Sequence, residues 1–208
     1  MPVTSSACRL LLLGVLLVLA PAAARATVLG FDDVTGDTDA QVPDGYGGFD
    51  WENFWVLDAA AYGLVPSGYA NGVVSPTYVA ANGSAMPAGL GVSAPERFDF
   101  NGAYLTGAWN DGLGIRVQGF RDGALAYDET VYAGAFHPRW FQFDFLDVDR
   151  LWFTSFGGTD AGFGIGRGEH FAMDDFTFDE PPVIPEPVTL AGLTLGVCAL
   201  GTYLRRRK

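Results

Sequence analysis

Apolar residues in the middle of this chain recur at every second position, and no stretch there sustains a helical period. Phe141, Phe143 and Phe145 share one phase, Leu113, Ile115 and Val117 share another, and Arg97-Phe98-Asp99-Phe100 alternates outright. A period of two sends successive side chains to opposite faces of a strand, so each run buries one face and wets the other. Leu151 to Phe156 and Phe171 to Phe178 read as strands too. Turn chemistry separates the runs: Asn82-Gly83, Asp111-Gly112, Asp122-Gly123 and Gly157-Gly158. The clearest unit is a hairpin, Gly114 to Phe120, turning at Arg121-Asp122-Gly123 and returning over Ala124 to Tyr132. Short strands at this spacing, with no helices between them, predict an all-β fold, an antiparallel β-sandwich of jelly-roll type. Tyr62 to Leu90, rich in Gly, Ala, Pro and Ser, reads as a loop-like excursion at one edge.

The two ends are built differently. Arg9 precedes an apolar stretch, Leu10 to Ala20, and Ala24-Arg25-Ala26 places small residues at the positions of a signal-peptidase site. Residues 1–26 therefore read as a signal peptide. Eleven apolar residues are too few for a membrane span. Residues 27–180 form the exported domain, and 181–187 a semi-rigid linker containing Pro185-Glu186-Pro187. Residues 188–208 hold an uncharged apolar run, Val188 to Leu204, ending in Arg205-Arg206-Arg207-Lys208. A helix of that length just crosses a hydrocarbon core of roughly 30 Å, and the basic end stays on the cytoplasmic side. The tripeptide, the transmembrane helix and the basic end, in that order, resemble the PEP-CTERM sorting tail of exported bacterial proteins.

That resemblance implies an exosortase as processing partner, transient anchoring in the inner membrane during export, and a final place at the cell surface or in the extracellular matrix. Such systems accompany exopolysaccharide production and biofilm. The exported body resembles the domains that precede such tails in three segments: Phe31-Asp32-Asp33, Pro43 to Trp51, and Phe171 to Phe178. This likeness implies a secreted jelly-roll-like domain. A single-pass protein that simply keeps its C-terminal anchor is the alternative.

Charge narrows the partners. The exported domain carries 23 acidic residues against six arginines and no lysine. Nucleic acid and anionic headgroups are poor partners for such a surface, whereas divalent cations are good ones. Solubility alone would also account for the excess. Cys8 and Cys198 both lie outside the domain, so it has no disulfide and no thiolate chemistry. With only His137 and His170, a histidine-rich metal site is not expected. No Gly-x-Ser-x-Gly sequence occurs, and Gly164 to Gly168 lacks nucleotide-binding spacing.

Two constellations remain. In a jelly roll the first and last strands lie side by side, which would bring Asp32 and Asp33 near Asp174 and Asp175. Clustered carboxylates repel unless a cation, protons or solvent intervene, so this quartet is the candidate calcium site. The other is an aromatic platform. Tyr46, Trp51, Asn53 and Trp55 crowd one segment, and Trp109 lies beside Asn110 and Asp111 near a turn. In one continuous strand Trp51, Asn53 and Trp55 would share a face, and aromatic faces beside amides and carboxylates suit sugars. Packing in the core is the competing reading of the same rings.

The expectation is a non-catalytic surface protein that binds glycan or exopolysaccharide, with calcium bridging an acidic polymer. A secreted hydrolase or lyase, using Glu52 or Glu169 as one of two carboxylates, is the alternative from another class. A pure surface scaffold is the third.

Overall fold

The computed structural model describes residues 26–179. Pro185-Glu186-Pro187, the expected sorting tail at 188–208 and all but the last residue of the expected signal peptide at 1–26 lie outside these residues. No helix among the described residues is long and apolar enough to cross a membrane.

In chain order the strands are β1 (Thr27–Leu29), β2 (Asp39–Gln41), β3 (Asp50–Glu52), β4 (Phe54–Asp58), β5 (Tyr78–Asn82), β6 (Ala88–Gly91) and β7 (Phe98–Gly107). They continue as β8 (Asn110–Asp111), β9 (Leu113–Arg121), β10 (Ala124–Ala133), β11 (Arg139–Val148), β12 (Arg150–Phe156), β13 (Thr159–Asp160) and β14 (Phe171–Phe178). Among the described residues one short α-helix, α1 (Gly68–Asn71), and two 3-10 turns at Tyr46–Gly48 and Gly83–Ala85 interrupt them. The strands assemble into an antiparallel sandwich. One sheet runs β11-β7-β14-β5-β4-β2, with β1 also on β14, the other runs β10-β9-β12-β6-β3, and β8 and β13 pair as a separate two-stranded ribbon. First and last strands are adjacent as expected, with Leu29 opposite Phe176, but the first strand ends at Leu29 and Phe31-Asp32-Asp33 lie in a turn beyond it.

The alternating residues fill the space between the sheets. Twelve of the sixteen phenylalanines are buried. Phe100 stacks on Phe143 at 5.1 Å and on Phe176 at 4.9 Å, and meets Phe153 edge-on at 6.2 Å. The hairpin forms as read. Arg121 pairs with Ala124 around Asp122 and Gly123, whose φ values of 50° and 74° give the turn that matches strand twist.

One expectation fails. The stretch from Tyr62 to Leu90 contains α1, β5 and most of β6 rather than a loop. β5 sits inside the larger sheet, with Val79, Ala80 and Ala81 buried on both faces. A strand covered on both sides has no reason to alternate, so its small residues carry no period.

β14 pairs with β7 along one edge, but its other edge is divided. Ala172 and Met173 face β5, whereas Phe176 to Phe178 face β1. At the changeover β14 bulges by one residue against β7, and Asp175 takes φ 48°. The Asp174 side chain fills the gap and is fully buried. Its Oδ2 accepts the N–H groups of Val74 and Ser75 at 2.7 and 2.9 Å, and its Oδ1 accepts that of Asp175 at 2.7 Å. The Ser75 hydroxyl lies 2.8 Å from Oδ1 and 3.0 Å from the Gly30 carbonyl, a proton shared across the junction. Asp32 Oδ1 accepts the N–H of Tyr78 at the head of β5.

Two outcomes are expected. Phe100→Ala should cost about 3–5 kcal/mol in urea denaturation, because it empties the centre of the aromatic stack. Burial, opposed by the four donors, raises Asp174 to about 6. A raised carboxyl contributes stability that is complete below its unfolded value and lost as pH rises through its folded one. Stability should therefore fall between about pH 4 and 6, by up to about 3 kcal/mol from this group. Asp174→Asn should flatten that slope, and parallel profiles for the two proteins would refute the assignment.

Candidate functional site

The residues expected to form a platform separate. Asn53 takes φ 58° and bends the chain, so β3 belongs to the five-stranded sheet and β4 to the seven-stranded one. Its amide donates to the carbonyls of Gly83 and Pro87, both at 3.0 Å, which clamps the crossing. Trp51 points into the core, with its indole N–H on the Tyr46 carbonyl at 2.8 Å and its ring edge-on to Phe54. Trp55, two residues past the bend, is exposed. Trp51, Asn53 and Trp55 thus share no face, because the strand that would have aligned them is broken. Tyr46 donates its hydroxyl to Asp33 at 2.8 Å, and burial and that carboxylate both favour its protonated form. Trp109 is not an exposed ring. It meets Tyr69 edge-on at 5.4 Å, and its ring covers Gly166 so closely that a Cβ there would lie 2.4 Å away.

Of the aspartate quartet, Asp174, Asp32 and Asp33 each accept from protein donors. Asp174 has about four acceptor positions and four donors aimed at them. Asp32 serves the Tyr78 N–H and Asp33 the Tyr46 hydroxyl. Asp175 is half-buried, and burial together with the Asp32 charge raises its pKa. Among the described residues, no three metal-ligating side chains converge. Asp174 and Asp32 thus accept backbone amides around the β1–β14–β5 junction.

The concave feature lies elsewhere. An open groove of about 850 Å³ runs over the outer face of the five-stranded sheet, across β12, β6 and β3. Strand alternation builds it. On β12, Leu151 and Phe153 enter the core, so Arg150 and Trp152 stand outward. On β6, Ala88 and Leu90 enter the core, so the outward positions are Gly89 and Gly91. On β3, Trp51 enters the core, so Asp50 and Glu52 stand outward. Register then sets two rows across the sheet. Trp152, Gly89 and Glu52 form one, and Arg150, Gly91 and Asp50 form the other.

The two glycines make a floor with walls on either side. A Cβ on Gly89 would lie 2.2 Å from Cε3 of Trp152, so the half-buried indole rests directly on that backbone. Arg150 reaches over the floor from β12 to β3, where its Nη2 meets Glu52 Oε2 at 2.7 Å. Its guanidinium carbon lies 5.0 Å from the centre of the Trp152 ring. Asp149 and Phe120 close one end. The result is an aromatic plate flanked by a planar cation and carboxylates, on rigid strands.

Sequence reasoning missed Trp152, Arg150, Gly89 and Gly91. Their signal was present. Trp152 is an aromatic in the polar phase of a strand whose other phase, Leu151 and Phe153, is apolar. Gly89-Leu90-Gly91 is the matching empty phase. Finding the groove required knowing that these two segments are neighbours.

No protein-family model matches the chain, and no curated protein matches it significantly. Among solved structures it resembles a DUF4465 family protein from Bacteroides caccae, with TM-score 0.52 and 10% identity over 76% of this chain and 100% of that one. A DUF4465 family protein from Bacteroides ovatus aligns with TM-score 0.42 and 12% identity, over 76% of this chain and 95% of that one. TmCBM61, solved with β-1,4-galactotriose, aligns with TM-score 0.36 and 12% identity, over 67% of this chain and 95% of that one. The first of these establishes the fold, an all-β sandwich.

Proposed function

We propose that this chain is an exported, non-catalytic surface protein that binds glycan chains in the groove on its five-stranded sheet. One observation carries the reading: Trp152 lies on the glycine floor of an open trough, with hydrogen-bonding side chains along both walls. A sugar ring offers an apolar C–H face rimmed by hydroxyls, and a half-exposed indole beside carboxylates and a guanidinium complements both. An open trough, unlike a closed pocket, admits the interior of a polymer. The end segments support export. The proposal extends to processing by an exosortase at Pro185-Glu186-Pro187 and to a destination at the cell surface or in the matrix.

Hydrolysis would need one carboxyl held protonated in a partly apolar setting. Glu52, in the same row of the sheet as Trp152, is instead held in an ion pair with Arg150 at 2.7 Å. That geometry supports retention of polymer unchanged.

The test compares two tryptophans that each lie on a glycine, on opposite faces. Trp140 packs over Gly102 beside Tyr104 on the seven-stranded sheet. Full-length protein in mild detergent would be assayed for retention on a panel of bacterial and plant polysaccharides. Trp152→Ala should weaken binding at least tenfold, about 1.4 kcal/mol. Gly89→Ala should weaken it too, by lifting the ring, and Trp140→Ala should leave it unchanged. Loss of binding with Trp140→Ala but not Trp152→Ala would move the site to the other face. No retention of any polymer by folded protein would refute glycan binding by this groove.

A further inference from the structure

The same groove carries a statement about which glycans it takes, and this rests on the glycan-binding reading. Arg150 is the one cation among the side chains that line it. Its guanidinium is already committed, paired with Glu52 at 2.7 Å and stacked against Trp152. The other charges on the walls are Asp44, Asp50, Glu52 and Asp149. Asp149 shares Arg97 with Asp122, at 3.4 Å, and accepts the Asp122 N–H. Asp44 accepts the N–H of Trp51 at 2.9 Å. Asp50, exposed beside Gly91, has no side-chain partner among the described residues.

A uronic-acid polymer laid along this trough would find no free cation. Its carboxylates would lie against a wall whose net sign is already negative, and like charges within several ångströms repel. A neutral chain meets no such cost. Its hydroxyls can donate to the carboxyl oxygens of Asp50 and Asp44. Bridging by a divalent cation would require a cluster of ligands, and none converges among the described residues.

We propose that the groove selects neutral glycans and rejects uronic-acid polymers, with Asp50 and the Arg150–Glu52 pair as the residues that set this preference. This reverses the expectation of an acidic polysaccharide drawn from composition. The total charge of the domain allowed an acidic ligand only through a bridging cation, and no three ligating side chains converge among the described residues.

Matched ligands test it. Neutral β-1,4-glucan, β-1,4-mannan and β-1,4-galactan oligosaccharides would each be compared with the same chain after selective oxidation of C6 to a carboxylate. Binding to full-length protein in detergent would be measured with chelator present, at about 20 mM and about 500 mM salt, which changes the screening length from roughly 20 Å to under 5 Å. The expected result is at least tenfold tighter binding of a neutral chain than of its oxidised form at low salt, with the gap narrowing at high salt. Asp50→Asn and Glu52→Gln together should narrow the gap at low salt, the second by releasing Arg150 to meet a ligand carboxylate. Equal or tighter binding of the oxidised form would overturn the selectivity and leave glycan binding standing. A gap unchanged in the double variant would overturn the assignment to these residues. Binding of neither form of any chain would overturn both.

Discussion

Everything in this sandwich is arranged around a strand that has two partners on one edge. β14 is bordered by β7 throughout, but β5 and β1 divide its other side between them. Two half-strands that meet end to end leave backbone N–H groups facing a gap, and buried N–H groups without acceptors are costly. Asp174 and Asp32 supply the acceptors, and the Ser75 hydroxyl links Asp174 to the backbone at Gly30. The junction also admits the bulge that keeps Phe176 and Phe178 in the core beyond it. The aromatic stack around Phe100 depends on that phase being kept.

The junction changes the meaning of the acidic composition. Of the ten non-glycine residues at positive φ among the described residues, five are aspartates: Asp122, Asp144, Asp147, Asp175 and Asp179. Aspartate tolerates the left-handed region better than most side chains, and short polar groups hydrogen-bond their own turns. Asp144 and Asp147 sit in the two irregularities of β11, as Asp175 does in that of β14. Others act as acceptors for loop amides. Asp58 holds Ala60 and Ala61, Asp111 holds Ala135, and Asp179 holds Asp99. Part of the acid excess is therefore backbone geometry written in side chains, which is why counting charges pointed toward a cation.

What could be read from the chain followed from locality. The alternation of Leu113, Ile115 and Val117 and the Asp122-Gly123 turn are short-range facts, and both appear as expected. The strand at Tyr78 was illegible because burial on both faces removes the alternating signal. The platform around Trp51 failed for a different reason. A single residue, Asn53, reverses the phase, and its positive φ is stabilised by carbonyls some thirty residues away. The groove depends on the same long-range order, since Trp152 gains its seat only when β6 brings Gly89 beneath it. Core and hairpins are local patterns; the site is a product of register.

If that register creates a sugar plate, one ring out of five should report it. The indole N–H resonances of Trp51, Trp55, Trp109, Trp140 and Trp152 can be followed by NMR during titration with a neutral oligosaccharide that the protein retains. The account predicts that the Trp152 signal moves in a saturable way while those of Trp109, buried beneath its loop, and Trp140, on the opposite face, stay fixed. Saturable movement of Trp55 or Trp140 with Trp152 unmoved would contradict it.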